Sequence, residues 1–195
     1  MTASMKILLL PCLGLMLLGL GCQMETATPD AATAAPPAQA DTTDVEARLA
    51  ELGITLPNPP APVANYVRAV RSGNLVFLAG HGPLREEGGY ITGKVGVDLT
   101  LDEGYEAARR TGIALLASLK AEIGDLNKVK RIVRAFGMVN TTPDFTQHPQ
   151  VINGCSDLMV ALFGEERGKH ARAAVGMTSL PIDIAVEIEM VVEVE

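Results

Sequence analysis

His170-Ala-Arg-Ala-Ala-Val-Gly-Met-Thr-Ser-Leu-Pro-Ile-Asp-Ile-Ala-Val-Glu-Ile-Glu-Met-Val-Val-Glu-Val-Glu195 closes the chain, and its period decides the fold. Val186, Ile188, Met190, Val192 and Val194 alternate with Glu187, Glu189, Val191, Glu193 and Glu195. A two-residue period of that length is a β-strand with one buried face and one face carrying carboxylates. An earlier strand carries Arg172 and Val175, and Ser179 to Asp183, with Pro181, makes a turn. The pair therefore reads as a hairpin folded about Pro181, with Arg172 roughly opposite Glu187 or Glu189. An arginine beside a carboxylate has two readings. One is a site: a guanidinium fork that grips an anion, next to a base that activates water. The other is a cross-strand ion pair on a solvated face, which is common and worth little.

The start of the chain is a targeting segment rather than fold. Lys6 precedes an apolar run, Ile7 to Leu20, of about 14 residues. That is short for a membrane span and suited to a signal-peptide core. Gly19-Leu20-Gly21-Cys22 follows, which resembles a bacterial lipoprotein processing site, although Gly19 stands where such sites usually carry Leu. Residues 1–21 are read as signal peptide and Cys22 as the lipidated first residue of the mature chain; ordinary secretory cleavage nearby is the alternative. Residues 22–43 are rich in Ala, Pro and Thr without helical or strand period, a flexible tether. Residues 44–195 form the folded domain. This organisation predicts a periplasmic protein held at a bacterial membrane through a lipid anchor only.

Cys12 and Cys22 both lie in the targeting segment, so Cys155 alone remains and no intrachain disulfide is available to the mature domain. With His148 or His170 it could be drawn as a nucleophile pair, but a lone cysteine is more often a small apolar residue. The spacing of His81, His148 and His170 does not suit a metal. Net charge is −7, and losing residues 1–21 removes Lys6 and no acid, leaving about −8. An acidic chain without Trp makes a poor phosphate-backbone binder, which argues against nucleic acid as partner.

Within the domain, Asp44 to Leu52 reads as a short amphipathic helix stopped by Gly53. Tyr66 to Val70 and Leu75 to Ala79 are strands about Arg71-Ser-Gly-Asn74, a hairpin signal. Gly80-His-Gly-Pro83 breaks the second, and Ile91 to Val97 is a short strand or loop. Thr100-Leu-Asp-Glu103 is a capping box opening a helix to about Ile123 with a stripe of small residues. Val129 to Val139 is a strand with Lys130 and Arg134 on one face and Val129, Val133 and Ala135 on the other. A second helix runs from about Asn153 to Phe163, ended by Gly164. The expected fold is α+β: a mixed sheet with two helices on one face, the other face left for a subunit or water.

Pro62-Val-Ala-Asn-Tyr66, Leu78-Ala-Gly-His-Gly-Pro83, Gly124-Asp-Leu-Asn-Lys-Val129, Asp144-Phe145 and above all Ala171-Arg172 through Leu180-Pro181 to Val186-Glu-Ile-Glu189 resemble the RidA/YjgF/YER057c/UK114 family. The resemblance covers about Gly53 to Glu195 and is to a divergent, exported branch. It implies a chorismate-mutase-like fold, a homotrimer with sites between subunits, and no metal or organic cofactor. It also implies hydrolysis of reactive 2-imino or enamine acids to 2-oxo acids and ammonia. By the same resemblance Arg172 is the carboxylate anchor and Glu187 the water-activating base. Tyr66 lines the site, and the backbone of Gly80 faces the substrate. His81 lies in the cleft loop. The family's site asparagine falls on Asn153 or Ser156. Ala79-Gly80-His81 stands where the family often has Ser-Gly-Gln, and Ala174 replaces a cysteine, which puts substrate identity in question.

Three functions follow. The first is an imine or enamine deaminase. The second is a non-catalytic trimeric module that binds a small 2-imino or 2-oxo carboxylic acid in the periplasm. The third is RNA cleavage, also attached to the family, against which charge and address argue.

Overall fold

The computed structural model describes residues 44–59, 61 and 64–195. The signal peptide, Cys22 and the whole tether therefore lie outside the described residues. Asp44 caps the first helix, α1 (Val45–Glu51), its carboxylate accepting from the amides of Glu46 and Ala47. The first two strands, β1 (Ala69–Ser72) and β2 (Leu75–His81), form an antiparallel hairpin closed by Gly73 and Asn74. Tyr66, expected in a strand, precedes β1 by three residues.

Helix α2 (Leu101–Ile123) opens with the capping box: Thr100 accepts from the Glu103 amide, and the Glu103 carboxylate accepts from the Thr100 amide at 2.8 Å. Strand β3 (Val129–Asn140) follows, then helix α3 (His148–Gly168), β4 (Ala171–Met177) and β5 (Val186–Val194). Residues 91–97 form no strand. That loop is fastened instead by Val95, whose amide donates to Asn140 and whose carbonyl accepts from Thr141.

The expected terminal hairpin does not exist. Strand order is β1-β2-β5-β3-β4, so β3 stands between β4 and β5. β4 runs parallel to β3, and β5 runs antiparallel to both β3 and β2. Parallel neighbours need a long crossover, and α3 supplies it, which makes β3-α3-β4 a βαβ unit. The eight residues between β4 and β5 carry the chain across β3 rather than back along β4.

The fold class is as expected: a mixed five-stranded α+β sheet with α2 and α3 packed on it. Val186, Ile188, Met190, Val192 and Val194 are all buried. On β3 the buried apolar side chains are Val129, Ile132, Ala135 and Val139, because bulges shift the register after Val129 and after Ile132. Ile132 takes the inward place expected for Val133. α3 starts five residues before its expected beginning and continues past Gly164, where the backbone turns non-helical at φ 73°.

α2 and α3 approach so closely at Gly154 that a methyl group there would overlap the carbonyl oxygen of Tyr105. Gly154→Ala should therefore force the helices apart. Overpacking of this kind costs about 1–3 kcal/mol, read as a lowered melting midpoint in chemical or thermal unfolding; an unchanged midpoint would show that the contact relaxes freely.

Candidate functional site

Glu187 lies on the second residue of β5, directly across from Met138 on β3. Its neighbours Val186 and Ile188 are buried under the helices, so the pleat sends Glu187 to the opposite face of the sheet. There its carboxylate rests over Gly80, where a Cβ would overlap Oε1. Glycine is thus required at this position for the carboxylate to lie down, which the sequence had suggested for a ligand instead. Glu187 has neither a hydrogen-bond nor an ion-pair partner among the described residues. Burial, and secondarily the Glu189 charge, push its carboxyl above the ordinary value of 4.5.

Glu187 and Gly80 border a cavity of about 640 Å³. Tyr66, Arg68, Tyr90, Leu84, Pro181, Ile182 and Ile184 also line it. Ile182 stands 72% exposed at φ 49°, a backbone region that β-branched residues seldom occupy. His81 belongs to the same wall, but its ring is committed elsewhere. A register shift in β2 after Leu78 turns His81 toward the helices. Nδ1 meets the Ala79 carbonyl at 2.7 Å and Nε2 meets the Ser118 hydroxyl at 2.7 Å. A carbonyl only accepts, so Nδ1 carries the proton and Nε2 accepts from Ser118. Burial, then Arg68, hold the imidazole below its usual range despite the Ala79 acceptor. His81, expected to meet substrate, has both ring nitrogens taken by the protein.

Arg172 is elsewhere. It pairs with Ala135, which faces the helices, and so it lies on the helix side of the edge strand β4. No carboxylate comes within 4.0 Å of it among the described residues, which removes the ion-pair reading of this arginine. Instead Nη1 donates to Asn153 Oδ1 at 2.8 Å and to Ser156 Oγ at 3.0 Å. The two residues that competed for one role act together. Ser156 in turn meets His170 Nε2 at 3.1 Å, and His170 Nδ1 donates to the Gly168 carbonyl at 2.8 Å. Burial, then the Arg172 charge, hold His170 below its usual range, so it accepts from Ser156 as a neutral ring. With both Nη1 hydrogens engaged, the Nε and Nη2 donors of Arg172 are left for a planar anion.

Cys155 is fully buried behind this cluster, and burial pushes its thiol up to about 12, which removes it as a nucleophile. Among the described residues no group of three or more His, Cys, Asp or Glu side chains is placed to hold a metal. Sequence reading passed over Arg68, and it weighed His170 only as a partner for Cys155 or a metal, not as the acceptor behind Ser156. Arg68 sits only two residues beyond Tyr66, but no period or motif marks it.

Residues 46–194 match the family model described as "YjgF/chorismate_mutase-like, putative endoribonuclease". The chain belongs to the YjgF/RidA family. It is 45% identical to Protein TCP17 of Trypanosoma cruzi over 149 residues, spanning 76% of this chain and 93% of that one. It is 29% identical over 143 residues to a protein of Dermatophagoides farinae named 2-iminobutanoate/2-iminopropanoate deaminase, spanning 73% and 95%. Among solved structures it resembles Atu1372 of Agrobacterium tumefaciens, a protein of unknown function, at 42% identity and a TM-score of 0.72, over 77% of this chain and 92% of that one.

Glu187 carries a built-in sign. Its carboxyl titrates higher in the fold than in the unfolded chain, so it favours the fold when protonated and loses that advantage as pH rises through its folded value. Glu187→Gln should therefore melt at a higher temperature than wild type at pH 7. The gap should close below the ordinary carboxyl range. Melting curves from pH 3 to 8 check this, and equal midpoints at neutral pH would refute it.

Proposed function

We propose that the protein hydrolyses reactive 2-imino acids to 2-oxo acids and ammonia at a site completed by a second copy of the chain. One observation carries the reading. Glu187 is a half-buried carboxylate, unpartnered among the described residues, held at the rim of a cavity, with its carboxyl raised above the ordinary value by burial. Its anion-binding counterpart, Arg172, lies on an edge strand and on the opposite side of the sheet. Within one chain the two cannot serve one small molecule. Across a subunit boundary they can.

The sheet face that carries Glu187 supports such a boundary. Val67, Val70 and Phe77 expose 59%, 53% and 45% of their surface there. With Arg134, Phe136 and Val191 they surround an apolar recess of about 350 Å³. Contiguous apolar surface of this kind marks association sites. A homotrimer is the assembly proposed, as in the family resemblance.

In the proposed reaction Arg172 of one copy binds the carboxylate through Nε and Nη2, a planar match that lysine lacks. Glu187 of the other copy takes a proton from water as the oxygen adds to C2 of the imine. It returns that proton to the nitrogen, giving a carbinolamine. Transfer of the hydroxyl proton to nitrogen then breaks the C–N bond, leaving the 2-oxo acid and ammonia. The raised Glu187 carboxyl favours the proton-carrying state between these steps.

Subunit mixing tests the shared site. Glu187→Gln alone should lower kcat/KM by roughly 10²–10⁴, and Arg172→Ala should be comparably impaired. Trimers assembled from both variants together should regain activity, because some clefts then pair an intact Arg172 with an intact Glu187. Ammonia release from an imino acid generated in situ measures this. Mixed trimers no better than their parents would refute a shared site, and arginine-dependent binding without any turnover would identify a binding module.

Export is proposed on the sequence of residues 1–22. The intact mass of membrane-fraction protein should show a diacylglyceryl-modified chain beginning at Cys22, absent in Cys22→Ala; an unmodified chain cut nearby would point to plain secretion.

A further inference from the structure

The Glu187 cavity contains a cation that the hydrolysis scheme does not use. The Arg68 carbonyl accepts the Ala79 amide at 2.9 Å, which sets residue 68 beside the Ala79-Gly80 step of β2, and its charge acts on the His81 ring. Arg68 is half-buried and lines the cavity. Among the described residues its guanidinium has one partner, the Pro59 carbonyl, which takes a hydrogen bond from Nη2 at 2.9 Å. No carboxylate lies within 4.0 Å of it among the described residues. Among the described residues, Nε and Nη1 are thus donors without acceptors.

The surroundings make that charge consequential. Tyr66, Tyr90, Leu84 and Ile184 form an apolar wall, and His81, the nearest basic ring, is neutral with both nitrogens occupied. A cation beside apolar surface, without a counter-ion, favours an anion more than one in open water does. The cavity is also large. Within one chain it measures about 640 Å³, in the roughly 300–1,000 Å³ range of pockets that hold drug-sized ligands.

We propose that Arg68 is a second anion contact in the Glu187 cavity, so that the preferred ligand is a 2-imino acid whose side chain ends in a second acidic group. This rests on the hydrolytic reading for its chemistry but not for its binding. Arg172 of one copy takes the carboxylate next to the imine, Glu187 addresses the imine carbon, and Arg68 takes the distal carboxylate. The competing role for Arg68 is a staple that holds the proline-rich segment through Pro59.

The test compares the imino acids formed in situ from glutamate and from 2-aminobutanoate, with calorimetric titration of the stable products 2-oxoglutarate and 2-oxobutanoate. Arg68→Gln keeps a donor for Pro59 and removes the charge; Arg68→Ala removes both. Wild type should favour the dicarboxylic member of each pair by at least about tenfold, the range of a charge-assisted hydrogen bond. Both variants should erase that preference while leaving the monocarboxylic member within about twofold. Equal losses on both ligands, or no preference in wild type, would overturn the proposal. If neither imino acid turns over but calorimetry shows an Arg68-dependent dicarboxylate preference, hydrolysis fails and this inference stands. If calorimetry shows no such preference, the inference falls whatever the turnover.

Discussion

The alternation along β5 constrains everything else. Val186, Ile188, Met190, Val192 and Val194 are pinned beneath α2 and α3, which fixes Glu187, Glu189 and Glu193 on the other face. A slip of one residue would bury three carboxylates without partners, a cost no helix packing could offset. Because β5 pairs with β2 on one side and β3 on the other, its register sets theirs. Glu187 meets Gly80 for this reason, and the Gly80 backbone without a side chain is what lets the carboxylate lie there.

Local signals were legible in the sequence, and partners were not. The Thr100–Glu103 box, the Gly73-Asn74 turn and the β5 period each report on their own few residues, and each formed as read. A strand's period shows which face is buried but not which strand lies beside it. The β4–β5 hairpin failed on that point, since a 21-residue helix before β4 permits a parallel crossover just as well. The start of α3 was missed because Gln147 makes no side-chain capping bond, although Pro149 in its first turn is a start signal.

The same limit shaped the site. The residue types that promise chemistry, Arg172 and Glu187, were found through the family resemblance, whereas their apparent proximity came from the hairpin. The sheet order separates them onto opposite faces and different strands. What spacing could not show is how much of each side chain is already spoken for. Arg172 has two of its five N–H donors held by Asn153 and Ser156, and His81 has both ring nitrogens held by Ala79 and Ser118. Preorganisation of that kind leaves fewer orientations for a bound anion, and it arises from contacts between elements distant in the chain.

The strand at the centre of the sheet is also the last of the five in sequence order. Until residues 186–194 are available, β2 has only β1 beside it and β3 only the edge strand β4. The two halves then have no common backbone ladder, and the apolar undersides of α2 and α3 lack the five residues that fill them. Completion of the core therefore waits on β5, the last of the five strands in sequence order. The sheet and both helix undersides are closed in one step by a single segment, so partial structures of this topology have no consolidated core to rest on.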